Sequence, residues 1–400
     1  MLSTRGMVAL ATSFDISAPP LTFEEYLRTW TPTPIEHART FPAFMYTDPA
    51  VFELERTRFF ARRWLYVAHV DELPAPSTYV ATSVAGFPIL VVRDKKGTLR
   101  AFHNVCPHRA APVAQGCGEA SIFTCPYHAW WFDQEGRCGG APGIDKLPWF
   151  RKEDNGLAPL KLETWGPFIF VNLDPAAGPL AEQMGDLGEV FAGVRFEEWK
   201  RVYAKDYFTD SNWKLYVENN AEFYHEPFVH KSVYGTNDVS WNNSHHLITA
   251  EVHDFSYRQY TPFAPDSPEL TGGMPRATMK LDMDERWLRG SSIMSFWPNF
   301  AWIVNPNLVI IYLVDPQSVT RTRVRWEWLV PDTPEALAEE NLKPLRELYD
   351  QVQQEDMDLL PQVQMVANSP GYIRGPFFPQ KELGVHRFDE LLMEHLTGRR

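Results

Sequence analysis

The chain has 400 residues, 44% of them hydrophobic and 22% charged, a globular composition that excludes disordered and fibrous classes. At roughly 150 residues per domain, this length predicts two to three domains. A net charge of −13 argues against nucleic acid as a partner, because phosphates are neutralised by Lys and Arg. No apolar run approaches the roughly 18 residues that span a bilayer, and Val8–Ala11 is too short for a secretory signal. Four cysteines are a poor stock for a disulfide framework. These features predict a cytoplasmic protein without membrane contact.

In chain order, the first charge run is Arg56, Arg58, Arg62 and Arg63, either a solvated helix face or a dock for a redox partner. A sheet pattern follows. Tyr79 to Arg93 is rich in β-branched and apolar residues, Asp94 to Gly97 makes a turn, and Leu99 to Val105 resumes the strand pattern.

At the end of that pattern stands Cys106-Pro-His108 and, after sixteen intervening residues, Cys125-Pro-Tyr-His128. Two thiolates and two imidazoles, one of each per knuckle, are what a Rieske [2Fe–2S] centre requires, since two histidines replace two cysteines on one of its irons. Zinc also accepts two Cys and two His, but zinc-finger spacings gather the cysteines in one knuckle and the histidines in another. The remaining cysteines, Cys117 and Cys138, have no such partners. Gly166 to Leu173 then closes a small β-domain, and Asp174 to Pro179 is a plausible boundary.

Beyond the boundary, Asn212 to His230 places Glu222, His225 and His230 close together. The alternation of Trp213, Leu215 and Val217 predicts extended chain, and a helix from Ala221 would put Glu222 and His225 on one face until Pro227 breaks it. In an unbroken helix His225 and His230 would stand about 140° apart, so their convergence on one metal needs the distortion a proline brings. An O2-binding non-haem iron(II) site uses two histidines and one carboxylate.

The carboxylate is sought further on. Leu308 to Val314, with alternating Val324, Trp326 and Trp328, predicts two strands. Thr333-Pro334-Glu335 then predicts a helix start, and Leu345, Leu348, Val352, Leu359 and Val363 an apolar stripe. Asp356 falls inside that stripe and Asp358 opposite it. A buried carboxylate needs a compensating cation, so Asp356 is the predicted ligand, with a helix-surface acid or a hydrogen-bonded buried one as the other reading. Pro361 is expected to bend or end this helix.

Together these residues resemble the catalytic, or alpha, subunit of the Rieske non-haem iron oxygenases, a family of aromatic ring-hydroxylating dioxygenases and quaternary-ammonium monooxygenases. The resemblance runs from about Tyr46 to Gly375. It rests on Phe102 to Arg109, the second knuckle, Asn212-Trp-Lys with Glu218-Asn219, the paired histidines and Glu355-Asp356.

It implies an α+β fold with a small all-β Rieske domain at 46–174 and a catalytic domain at 175–400, with residues 1–45 packing on the latter. The catalytic domain would be a helix-grip, START-like antiparallel sheet on a long C-terminal helix. By the same resemblance Cys106, His108, Cys125 and His128 hold the cluster, and His225, His230 and Asp356 the mononuclear iron(II). Glu222 and Asn219 take catalytic roles, with Glu222 bridging to a cluster histidine of a neighbouring subunit in a homotrimer, α3 or α3β3. Such a bridge would also fix an imidazole tautomer. O2 is the co-substrate, and electrons come from NAD(P)H through a reductase, with or without a ferredoxin.

Two departures stand out: Glu222 where Asp is commoner, as in the branch oxidising betaine- and carnitine-like compounds, and Ala110 where Gly often stands. The first expectation is ring hydroxylation in aromatic hydrocarbon catabolism. The alternative is a monooxygenase of a quaternary ammonium or N-methyl substrate, and a remoter one a Rieske electron-transfer protein. Phe296, Trp297, Phe300 and Trp302 are candidate pocket residues, which would suit a ring or a cation equally. Arg374 could clamp a substrate carboxylate or sit on the surface, and His103, His245 and His246 are more ordinary histidines.

Overall fold

A computed structural model describes residues 21–191, 194, 196–230, 249–262, 290–305 and 308–400; His245 and His246 lie outside the described residues. After α1 (Phe23–Thr29), α2 (Phe44–Thr47) and α3 (Pro49–Arg58), the chain enters β1 (Leu65–His69), β2 (Thr78–Val84), β3 (Phe87–Arg93), β4 (Leu99–His103) and β5 (Cys117–Glu119). The stretch read as rich in β-branched and apolar residues, 79–93, is a hairpin of β2 and β3. Ala85 and Gly86 both have positive φ, 51° and 75°, the two-residue turn whose twist suits paired strands.

A second small sheet is formed by β6 (Ile122–Thr124), β7 (Trp131–Asp133) and β8 (Cys138–Gly140). The chain then returns through β9 (Pro159–Trp165) and β10 (Phe168–Asn172) to complete the antiparallel order β1-β10-β9-β4-β3-β2-β5.

Past α4 (Leu180–Met184) and α5 (Leu187–Val190), the larger sheet begins with β11 (Trp199–Thr209), and α6 (Trp213–Asn220) and α7 (Glu226–Val229) follow. Its other strands are β12 (Thr249–Val252), β13 (Ser256–Pro262), β14 (Gly290–Phe296), β15 (Phe300–Asn305), β16 (Leu308–Ser318) and β17 (Arg321–Pro331). Among the described residues they pair antiparallel in the order β11-β17-β16-β15-β14-β13-β12.

Both faces of this sheet are covered, which is why β16 reads as a continuous apolar run rather than an alternation. Val309, Ile311 and Leu313 face one cluster with Tyr66, Phe168 and Phe170 of the first sheet and with Leu180 and Leu187. Ile310, Tyr312 and Val314 face the other, with Trp213, Leu345, Met357 and Phe388 from the helices. Three hydrogen bonds also tie the sheets: Asn299 brackets the backbone of Tyr66 with two, and Ala85 N–H donates to Asp315 at 2.8 Å.

The long helix α8 spans Glu339–Val366. It begins later than predicted, because Thr333 caps only a turn, its Oγ1 accepting from Ala336 N–H. Pro361 does not end it either; the helix runs on to Val366 with Pro344 and Pro361 inside it. Its buried face is Leu345, Tyr349, Gln353, Asp356, Met357 and Leu360, so part of the predicted stripe is turned outward: Val363 is exposed. Finally α9 (Leu383–Leu396) packs under α6. Gly384 allows this, because a Cβ there would meet Ala221 O at 2.3 Å.

Candidate metal centres

The two knuckles are one turn built twice. Cys106 N–H donates to Ala111 O at 2.8 Å and Ala110 N–H returns to Cys106 O at 3.0 Å. Cys125 N–H donates to Trp130 O at 2.7 Å and Ala129 N–H to Cys125 O at 3.1 Å. Each turn closes on an alanine in the left-handed region, Ala110 at φ 59° and Ala129 at φ 56°. Asn104 pins the first loop, accepting from Val113 and Ala114 N–H and donating to Ala114 O.

Both cysteines are buried, whereas His108 is half-exposed and His128 exposed, with ring centroids 4.6 Å apart and Trp130 stacked on His108. Burial and the neighbouring Cys125 sulfur push the Cys106 thiol up, while the N–H groups of His108 and Arg109 donate toward it. Amide donors of this kind support a metal-bound thiolate. This set fits a two-iron cluster with sulfurs inside and imidazoles at the surface.

The second constellation sits between α6, α7 and α8. Asp356 Oδ1 lies 3.6 Å from Nε2 of both His225 and His230. The three ligand atoms lie within 4.8 Å of one another, and His225 Nε2 is buried without a hydrogen-bond partner. Each imidazole is held from its other nitrogen: His225 Nδ1 by Glu222, and His230 Nδ1 by Glu355 at 3.2 Å. Burial lowers the affinity of His225 for a proton, but Glu222 and then Asp356 carry its pKa up to about 9; burial pushes Asp356 up from the usual carboxylate range. Two inward nitrogens and a carboxylate, with the outer nitrogens committed elsewhere, fit a divalent metal.

Local sequence explains how these side chains meet. Trp213 to Val217 is helical, not extended: every residue in it is buried, so alternation there carries no strand signal. Asn212 caps α6, accepting from Lys214 N–H at 3.0 Å. Trp213 Nε1 and Lys214 Nζ both donate to the buried Glu55, at 2.8 and 2.6 Å, and Tyr46 donates to Glu218, whose pKa burial pushes up to about 8. Asn219 then reaches Asp356 Oδ1 at 3.4 Å. Pro227 starts α7 rather than breaking a helix, standing in its first turn where its missing N–H is harmless.

A cavity of about 130 Å³ opens on the three ligand atoms, walled by Tyr312, Trp326, Tyr349, Ile293 and Ile303, with Glu222 and Glu226 also lining it. The aromatic residues expected there do not line it. Phe296, Phe300 and Trp302 face the opposite side of the sheet, and Trp297 packs against Phe388. Alternation on β16 and β17 could have found Tyr312 and Trp326, which are direct cross-strand partners. Arg374 is elsewhere, donating to the backbone of Thr40 and Arg39, and His103 is a half-buried residue of β4. The arginine run is partly tied inward, with Arg56 on Ala85 O, Arg58 on Leu396 O and Arg63 on His395.

A cluster exposed on its imidazole side can take up and pass on electrons, and a two-histidine, one-carboxylate face lining a cavity is an acceptor that binds O2. The two together define an oxygenase of the Rieske type. Residues 63–151 match the Rieske [2Fe-2S] domain and residues 196–398 the ring hydroxylating alpha subunit (catalytic domain), and the chain belongs to the Rieske oxygenase alpha-subunit family. It is 31% identical over 373 residues to the carnitine monooxygenase oxygenase subunit of Acinetobacter pittii, covering 90% of this chain and 95% of that one. The structure of the quaternary ammonium Rieske monooxygenase CntA with its substrate L-carnitine superposes with a TM-score of 0.74 at 27% identity, over 92% of this chain and 97% of that one. Naphthalene 1,2-dioxygenase from Rhodococcus sp., bound to indole, has a TM-score of 0.75 at 21% identity, over 89% and 94%, and shows the fold alone.

The chain is the terminal oxygenase component, using a Rieske cluster, a mononuclear iron, O2 and electrons from a reductase. Aromatic hydrocarbon catabolism, the first expectation, finds no support here, since the relatives at 27% to 31% identity are named for carnitine and quaternary ammonium compounds. Among the described residues no helix is long and apolar enough to cross a membrane.

Proposed function

We propose that the chain is a monooxygenase of a small quaternary ammonium or N-methyl compound, with carnitine- and betaine-like molecules as the substrate class. Cys106, His108, Cys125 and His128 hold the cluster in this reading, and His225, His230 and Asp356 hold the iron. The observation that carries it is the composition of the cavity: the facial ligand set opens onto Tyr312, Trp326 and Tyr349, with the carboxylates of Glu222 and Glu226 at its margin. Aromatic faces and acids attract a desolvated cation, and they do so without binding it to the metal. Kinship with relatives named for carnitine and quaternary ammonium supports the same choice.

When bound, the cluster supplies electrons one at a time and the iron binds and activates O2. The chain's own residues do the rest. Glu222 and Glu355 fix the imidazoles so that both Nε2 atoms point inward, Asn219 orients Asp356, and Ile293 and Ile303 add apolar wall to the cavity.

Glu222 is also placed, in this reading, to meet a cluster histidine of the next subunit in a trimer. Apolar side chains support an assembly: Tyr127 and Trp149 are 55% and 71% exposed on the cluster module, and Phe228, Met365 and Ile373 are 63%, 75% and 61% exposed on the catalytic one. The division into 1–45, 46–174 and 175–400 belongs to the same proposal, as does a cytoplasmic location, which fits cysteines that form no disulfide.

The test is turnover with a reductase, following O2 uptake and product mass with carnitine, betaine and choline against naphthalene and benzoate. Oxygenated or demethylated product from a quaternary ammonium compound supports the proposal. Product from ring compounds alone overturns it.

A further inference from the structure

Three aromatic side chains wall the cavity, and from them two rows of rings run outward. Trp326 lies 4.8 Å from Tyr312 and 5.4 Å from Tyr207 between ring centroids. Tyr349 lies 5.7 Å from Trp328, which lies 5.5 Å from Tyr203. Both rows end on one acid: Tyr207 donates to Asp350, and Tyr203 donates to it at 3.2 Å. Lys205 donates to the same carboxylate at 2.8 Å, and the Asp350 side chain is 29% exposed. Ring contact alone is ordinary core packing. Two rows that start at an O2-activating cavity and finish on a single solvent-reachable carboxylate have a chemical use.

Tryptophan and tyrosine are, with cysteine, the side chains that most readily lose one electron in neutral water, and a phenol does so when a neighbouring base takes its proton. Asp350 is that base for both phenols. The Lys205 ammonium, 4.5 Å over the Tyr207 ring, opposes a positive charge on it. Transfer of the proton to Asp350 removes the conflict, because the ring is then neutral.

We propose that the rows Tyr312–Trp326–Tyr207 and Tyr349–Trp328–Tyr203 supply electrons that quench the oxidised iron centre when O2 has been activated without substrate to consume it. The proposal rests on the reading of His225, His230 and Asp356 as the iron ligands. Trp326 gives one electron to the oxidised centre and becomes a radical cation. Tyr207 gives one electron to Trp326 and its phenolic proton to Asp350, leaving a neutral tyrosyl radical and a carboxylic acid. A thiol or ascorbate in solution then gives the radical one electron, and Asp350 returns the proton. The centre gains one electron, the solution reductant loses one, and no bond to carbon changes. In the second row Trp328 gives one electron past the Tyr349 ring, which keeps its proton, and Tyr203 returns that electron to Trp328 while passing its phenolic proton to Asp350.

The experiment uses iron-loaded holoenzyme, reduced and then oxygenated without substrate, read by freeze-quench EPR and by mass spectrometry of peptides. The wild type should give a tyrosyl radical signal and little modification of Trp326, Tyr312 or Tyr349. The double variant Tyr203→Phe/Tyr207→Phe should lose the signal and show several-fold more oxidation at those cavity residues, with unchanged iron content and unchanged initial rate with substrate. Asp350→Asn, which keeps every ring in place, should also lose the signal. Unchanged peptide oxidation in the double variant, alongside normal iron content and product formation, overturns the electron-supply proposal alone. Wild-type protein that neither loads the mononuclear iron nor forms product overturns the oxygenase site assignment, and this proposal with it.

Discussion

Lys214 Nζ lies 2.6 Å from Glu55 Oε1, and neither side chain is exposed to solvent. The pair fastens α6 to α3 behind the cavity, so Asn219 inherits its position from it. Lys214→Met leaves the Glu55 charge uncompensated and should cost about 3 to 5 kcal/mol. The double variant Lys214→Met/Glu55→Gln should recover part of that loss. Urea denaturation of the three proteins decides the matter, and equal stability of both variants would remove the pair from the account.

Asp356→Ala and His225→Ala should lower iron from about three to about two per chain while the Rieske EPR signal survives. Cys106→Ala should abolish that signal. An iron count unmoved by Asp356→Ala would place the mononuclear metal elsewhere.

Glu355 holds His230 at Nδ1, so Glu355→Gln should loosen the iron by about 10- to 100-fold, the usual price of losing an outer-shell carboxylate. The rate of iron loss to a chelator measures this. Asp358→Asn, one turn-face away and exposed, is the control that should change nothing.

Ala110 sits at φ 59°, where a Cβ is strained. Ala110→Gly should therefore stabilise the cluster module by about 0.5 kcal/mol, the relief of strain being partly offset by the freer unfolded chain. Thermal bleaching of the cluster chromophore is the readout, and a lower midpoint would show that the turn is relaxed.

His395 is buried beside Arg63, and burial first, then Arg63 and Arg400, lower its pKa from 6.5 to about 4. Between these values the unfolded chain takes up a proton that the folded one refuses. Stability should therefore fall as the pH drops from 6.5 toward 4, by at most about 3 kcal/mol from this residue. His395→Asn should flatten that part of the stability profile; an unaltered slope would assign it to other groups.

The candidate ligands were legible as candidates because their information is chemical: Cys, His and Asp in a fixed order admit few readings, and the fold brings His225, His230 and Asp356 together. The architecture around them was less so. Trp213 to Val217 was read as a strand because periodicity speaks only when one face is wet, and this helix is buried all round. Pro227 was read as a breaker and Pro361 as bending or ending its helix, although a proline in a first turn starts a helix and α8 runs on past Pro361 to Val366. The cavity wall was misplaced by one face. Sequence alternation tells which residues share a side of β15 or β16, but only the positions of α8 and β10 tell which side surrounds the metal.

The double coverage of the large sheet has a consequence for how the enzyme can change. On β16, odd positions such as Ile311 and Leu313 clasp the cluster module, while even positions such as Tyr312 look into the cavity. Two instructions are thus interleaved in one strand, letter by letter. Diversity confined to Tyr312, Trp326, Ile293 and Ile303 can retune what the cavity admits and leave the joint between modules intact, whereas inserting one residue would exchange the two texts and spoil both.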